Sequence, residues 1–278
     1  MLKKARVLID CEDAKGLVYL ISKVFYDRGL NIDNNREFVD KETNRFFMRT
    51  VVSGEFSYSE LKNALVEVSP KNSIIKIIEP KDKNIILMAT KESHCLGDIL
   101  IRWSSNELDA NILAVIANHN DLEELTKKFD IPFIYVSAEN LEREEHENII
   151  IEKLNDFDFD YIVLAKYMRI LSSQFVLKYN KRIINIHHSF LPAFIGANPY
   201  KQAYKRGVKI IGATAHFVTN DLDEGPIIYQ DVISVNHRFE WRDMQKAGRD
   251  VEKIVLSRAL SFVLNDRVFI HGNKTVLF

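Results

Sequence analysis

Six short apolar runs constrain the fold of this chain more than any other feature: Ile85 to Ala89, Ile112 to Ala117, Phe133 to Val136, Tyr161 to Leu164, Ile183 to Ile186 and Ile211 to Val218. The stretches between them are long enough to be helices. Continuous apolar runs suit strands buried on both faces, and helical crossovers between them suit a parallel sheet. Residues 85–278 are therefore expected to form a doubly wound, mostly parallel, Rossmann-like α/β domain.

The residues before this pattern read differently. Ala5 to Cys11 is a half-buried strand, and Leu17, Leu20, Ile21, Val24 and Phe25 recur at helical spacing, with Gly29 suited to end that helix. Two strands follow, around Glu37 to Val39 and Arg45 to Val52, joined by Asp40-Lys41-Glu42-Thr43. A second helix runs through Leu61, Ala64, Leu65 and Val68 and stops before Pro70, and Ile74 to Ile78 is the last strand. This β-α-β-β-α-β order predicts a ferredoxin-like α+β sandwich over residues 1–80. The polar stretch 81–84, just after Pro80, reads as a linker.

Charge and cysteine content narrow the function classes. The chain has 278 residues, with 38 Lys+Arg against 39 Asp+Glu and a net charge of −1, which argues against gripping nucleic acid by bulk charge. Cys11 and Cys95 are far apart and form no CxxC pair, so neither a disulfide framework nor a cysteine metal site is expected. No stretch approaches the roughly 20 apolar residues that cross a bilayer, and the N-terminus lacks a signal-peptide pattern. A cytoplasmic protein with no membrane partner is the expectation. No nucleotide-binding glycine loop occurs. His94 and His119 read as polar loop residues, and His146 as part of an exposed charged helix, Glu142 to Glu147; none has zinc-site spacing.

Ligands of open parallel sheets gather beyond the carboxyl ends of the strands. In Asn185-Ile186-His187-His188-Ser189-Phe190-Leu191-Pro192, Asn185 and His187 share one strand face and His188 takes the other. An amide beside an imidazole suits work on a carbonyl, one stabilising an oxyanion and the other handling a proton. The same residues could equally serve only to hydrogen-bond a strand end. Thr219-Asn220-Asp221-Leu222-Asp223-Glu224-Gly225-Pro226 follows another run taken as parallel. It could be a solvated turn, or it could bring a carboxylate to face Asn185 and His187. Ala165 to Leu171 could be plain core, or an apolar slot whose backbone reads a flat heterocycle.

The segment from Asn185 to Pro192, with Asp223 in Leu222-Asp223-Glu224-Gly225-Pro226, resembles the catalytic residues of the folate-dependent formyltransferase family. The whole chain, through Arg267-Val268-Phe269, resembles that family's formyltetrahydrofolate deformylase branch. The blocks Ile183 to Pro199, with Phe194-Ile195-Gly196-Ala197, and Gly207 to Gln230 are its most characteristic stretches. The resemblance implies hydrolysis of 10-formyltetrahydrofolate to formate and tetrahydrofolate, which supplies formate for purine biosynthesis. It implies Asn185, His187 and Asp223 as catalytic residues, Arg169, Leu171, Thr219 and Asn220 as folate contacts, and no cofactor or metal. It further implies that residues 1–80 are an ACT domain in a homo-oligomer. Methionine or glycine would bind near Asp13, Lys15, Gly16, Gly29 and Asn31. Asn198 stands where the family pattern leads one to expect an arginine.

Overall fold

The computed structural model describes residues 3–193 and 199–278, so Phe194 to Ala197 and Asn198 lie outside the described residues. Contacts divide the chain into two units. One comprises the residues up to Lys81 with Asn265–His271 and Val276–Phe278, and the other Asp82–Leu264 with Gly272–Thr275.

The first unit contains β1 (Lys3–Glu12), α1 (Leu17–Asp27), β2 (Asn31–Asp40), β3 (Arg45–Gly54), α2 (Tyr58–Val68) and β4 (Ile74–Ile78). Its sheet has the order β2-β3-β1-β4, and every pairing is antiparallel. Alternation along β1 builds two layers. Val7 and Ile9 pack with Ile21, Phe25, Leu61 and Leu65 of the helices. Leu8 and Phe47 instead pack against Phe269 from the far end of the chain. Strand β2 begins at Asn31, well before the expected Glu37. Being mostly exposed, it carries little of the apolar alternation that marks a strand in sequence.

Assigning everything after residue 85 to the second domain is corrected at both ends. Strand β5 (Lys83–Ala89) starts inside the expected linker, because Lys83 and Asn84 pair with Ala110 and Asn111. At the other end, Asn265–His271 joins the first unit. The Arg6 guanidinium lies 2.9 Å from the Asp266 carboxylate, and Arg49 donates to the Asn265 and Asp266 carbonyls. Those partners lie more than 200 positions away in sequence, beyond the reach of local pattern.

The second unit continues with α3 (Ser93–Ser104), β6 (Ala110–Ala117), α4 (Glu123–Lys127), β7 (Phe133–Tyr135), α5 (Arg143–Leu154), β8 (Tyr161–Leu164) and α6 (Ser173–Lys178). Then come β9 (Ile183–His187), α7 (Pro199–Arg206), β10 (Ile210–Phe217), β11 (Ile227–Ser234) and α8 (Trp241–Leu264), with the terminal pair β12 (Val268–His271) and β13 (Lys274–Leu277) after them. The sheet order is β11-β10-β9-β8-β5-β6-β7, so the chain fills one side of β5 and then returns to build the other. That reversal opens a crevice at the carboxyl ends of β5 and β8.

Strands β5 to β9 are parallel, but β10 runs antiparallel to β9 and to β11. This corrects the reading of Ile211 to Val218 as a parallel strand. An apolar run records its burial, not its direction. Helix α5 is also corrected. Its capping box pairs Glu142 with Glu145, yet His146 and Glu147 are 1% and 4% exposed, not on a solvated face.

Candidate active site

Strand β9 ends in the crevice and presents Asn185 and His187 two residues apart. The β9–β10 register sets Asn185 opposite His216 and His187 opposite Thr214. The first pairing explains a contact that sequence reasoning missed: Asn185 Nδ2 lies 3.2 Å from His216 Nε2. His216 Nδ1 lies 3.0 Å from the Phe217 carbonyl, which can only accept, so Nδ1 carries the hydrogen and Nε2 is bare. His216 thus accepts from the Asn185 amide and fixes its orientation. Burial lowers the His216 pKa and keeps the ring neutral.

Asp223 reaches the same point because the loop after β10 doubles back over its own strand. Gly225 allows that close approach, since a Cβ there would sit 1.8 Å from the Phe217 carbonyl oxygen. Asp223 holds a left-handed φ of 59°. Its Oδ1 lies 3.3 Å from His187 Nδ1 and 3.8 Å from His216 Nε2. Burial pushes this carboxyl up, but the interaction with His187 and the neighbouring His216 and His188 outweigh it, so its pKa falls below the ordinary value. On the far side of the ring, His187 Nε2 is buried and finds no partner among the described residues. An orphaned buried nitrogen needs an explanation, and a ligand is a direct one.

The three residues open into a cavity of about 450 Å³. Arg169, Leu171, Thr219 and Asn220 line it too, so the cavity brings together all seven residues expected to act on a folate. One wall is the segment after β8. Its Met168 N–H donates to Thr90 Oγ1 at 2.9 Å, and its end is held where Ser172 N–H and Oγ–H both donate to buried Glu147. Neither Thr90 nor Glu147 was visible as a site residue in the sequence. Both act from other elements, on a loop whose own sequence does not announce them.

The expected effector residues lie in the first unit. Asp13, Lys15 and Gly16 precede α1, where Gly16 holds a φ of 89°, and Gly29 and Asn31 follow it. The 11-residue helix between them is about 16 Å long, so these residues do not gather at one point within the chain. His94 is not a lone loop residue: it meets Cys95 and Glu252, with their ligating atoms all within 4.8 Å of one another. Glu252 already receives His94, Lys166 and Tyr200, and burial raises the Cys95 thiol well above its usual range. The arrangement is that of an internal ion pair.

Residues 83–260 match the formyl transferase family model and residues 5–69 the ACT domain model. The chain is 54% identical to formyltetrahydrofolate deformylase of Haemophilus influenzae over the full length of both. The crystal structure of a formyltetrahydrofolate deformylase from Pseudomonas syringae superposes with a TM-score of 0.94 at 41% identity, covering 99% of this chain and 94% of that one. A glycinamide ribonucleotide transformylase from Symbiobacterium toebii gives 0.69 at 25% identity and covers 72% of this chain and 96% of its own. Among the described residues no helix is long and apolar enough to cross a membrane. With both domains matched and its relatives alike from end to end, the chain belongs to the formyltetrahydrofolate deformylase family, as an enzyme with an ACT domain ahead of a formyl transferase domain.

Proposed function

We propose that this enzyme hydrolyses 10-formyltetrahydrofolate to formate and tetrahydrofolate, with Asn185, His187 and Asp223 acting together. The observation that carries the reading is the orphaned His187 Nε2 beside the Asn185 amide, with Asp223 behind the imidazole. The folate ring lies along Arg169 and Leu171 and is met on the other side by Thr219 and Asn220.

Ionised Asp223 orients a water and takes its proton as the water oxygen bonds to the formyl carbon. The formyl oxygen becomes an oxyanion, received by the remaining Asn185 N–H and by His187 at Nε2. Collapse of this intermediate breaks the carbon–nitrogen bond, and a proton relayed through His187 goes to the leaving nitrogen. That nitrogen is joined to an aromatic ring and is weakly basic, so it leaves more readily than an alkylamine. The route therefore asks for no cofactor or metal.

A transferase would need room for an amine beside the formyl carbon. Residues 93–97 offer a single glycine, within α3, in place of a glycine-rich anion cradle, and the His94 side chain is committed to Glu252. Both features favour water as the acceptor. The physiological role we assign is release of formate for purine biosynthesis and balance of the one-carbon folate pool. An amino acid, methionine or glycine, would regulate it through the ACT domains of a homo-oligomer. The test is product analysis from 10-formyltetrahydrofolate, with and without glycinamide ribonucleotide. Formate and tetrahydrofolate should appear in equal amounts whether or not the amine is present. A formylated amine as the main product would overturn the reading.

A further inference from the structure

Away from the substrate cavity's reacting centre, the second unit buries another charged cluster. Glu252 sits fully buried in the apolar stripe of α8. Its Oε2 lies 2.8 Å from His94 Nε2 and 3.1 Å from Lys166 Nζ, and its Oε1 accepts from the Tyr200 hydroxyl at 2.6 Å. His94 belongs to the first turn of α3, Tyr200 to the first turn of α7, and Lys166 to the segment after β8. One carboxylate therefore ties three chain segments to α8. Gly248, one turn earlier, makes the approach of Tyr200 possible, since a Cβ there would fall 2.1 Å from its hydroxyl oxygen. Burial opposes the Glu252 charge, but the His94 hydrogen bond and Lys166 more than offset it, and the pKa falls to about 2.

Two of the three ties lead to the active site. Lys166 directly precedes the cavity wall of Tyr167 to Leu171 and holds a φ of 65°, a left-handed conformation uncommon for a residue with a side chain. Such a conformation persists where its surroundings over-determine it, and the buried Lys166–Glu252 pair supplies that constraint. Tyr200 leads by another route. Its ring centroid is 6.0 Å from that of His188, which in turn is 5.1 Å from that of His187. Burial and Lys166 lower the His188 pKa to about 4, so an uncharged ring backs His187.

We propose that Glu252 is a positioning residue, holding the substrate wall through Lys166 and the imidazole of His187 through Tyr200 and His188. The two ties act on different kinetic constants. The wall is met by the folate before and during reaction, so its release weakens binding. The imidazole matters as charge develops, so its release slows turnover.

This inference rests on the roles proposed for His187 and the wall. Their failure has its own signature, parental turnover in His187→Ala. The test uses the full-length enzyme. The double variant Lys166→Met with Glu252→Gln removes both charges of the buried pair and leaves neither ion uncompensated. It should fold, with KM for 10-formyltetrahydrofolate raised about fivefold or more and kcat within about twofold, because the glutamine amide oxygen still accepts from the Tyr200 hydroxyl and keeps that tie. Tyr200→Phe should lower kcat about fivefold or more and leave KM within about twofold. A purely structural role would lower the melting temperature and the active fraction without separating the two constants. Parental KM in the double variant, or parental kcat in Tyr200→Phe, overturns the proposal. Should the double variant fail to fold, Lys166→Arg takes its place: it keeps the charge but changes the reach, and parental KM there is equally fatal.

Discussion

An Asn185 side chain free to rotate could present either its oxygen or its nitrogen to the formyl group, and only the nitrogen can donate to an oxyanion. His216 removes that ambiguity by accepting one amide hydrogen, leaving the other for the cavity. Asn185→Ala, His187→Ala and Asp223→Asn should each lower turnover at least about a hundredfold while folate affinity stays within about tenfold. Near-parental turnover in Asp223→Asn would remove the water-orienting role. Asp223 also links this site to acid stability. Its folded pKa lies below the ordinary value of 3.8, so its contribution is fully present above that value and fades as the pH falls through the lowered one. The unfolding free energy of the parent minus that of Asp223→Asn should therefore shrink as the pH falls through 3.8 and below, as urea titrations at several pH values would measure.

Strands and loops explain which parts of this site were legible. The period of two placed Asn185 and His187 on one face of β9 from sequence alone. Asp223 was singled out by its motif, and a carboxylate facing Asn185 and His187 was one of two readings of its loop, but how the loop gets there was not legible. It depends on β10 running antiparallel and on the loop folding back at Gly225. His216 stood in a recognised block, yet its partnership with Asn185 is a matter of cross-strand register, which a single strand does not encode. The fold class was legible because burial patterns differ between half-exposed and doubly covered strands. Strand β2 was only partly visible because solvent, not core, meets its side chains. The loop geometry carries a prediction of its own. In Gly225→Ala the added methyl meets backbone, not a yielding side chain, so the 219–226 loop must lift and carry Asp223 with it. Turnover should fall at least about tenfold, since displacements near 1 Å at a reacting centre can cost about a hundredfold. The β-sheet core is untouched, so the melting temperature should drop far less than the activity. Circular dichroism melts beside formate assays would check this, and parental activity would mean that the loop tolerates the shift.

The whole molecule places its two chain ends in one unit, and this changes what a test of independent regulation must look like. Phe269 is nearly buried and packs edge-on to Phe47 at 5.5 Å and to Phe278 at 5.6 Å. Deleting residues 1–80 would strip the partners from Phe269 and Phe278 and leave apolar surface exposed, so loss of activity after that deletion would report aggregation as readily as mechanism. A point change in the full chain is cleaner. Phe269→Ala removes a buried aromatic side chain from the first unit, a loss of about 3–5 kcal/mol where the site cannot collapse. The expected result is a lower unfolding midpoint for that unit and a weakened response to any amino-acid effector. Basal formate release, measured well below the midpoint, should stay within about twofold, because no group in contact with the folate or the attacking water has changed. Calorimetry and a formate assay on one preparation make both measurements. A large fall in basal turnover with an unchanged unfolding profile would assign the C-terminal segment to catalysis and not to the sheet it covers.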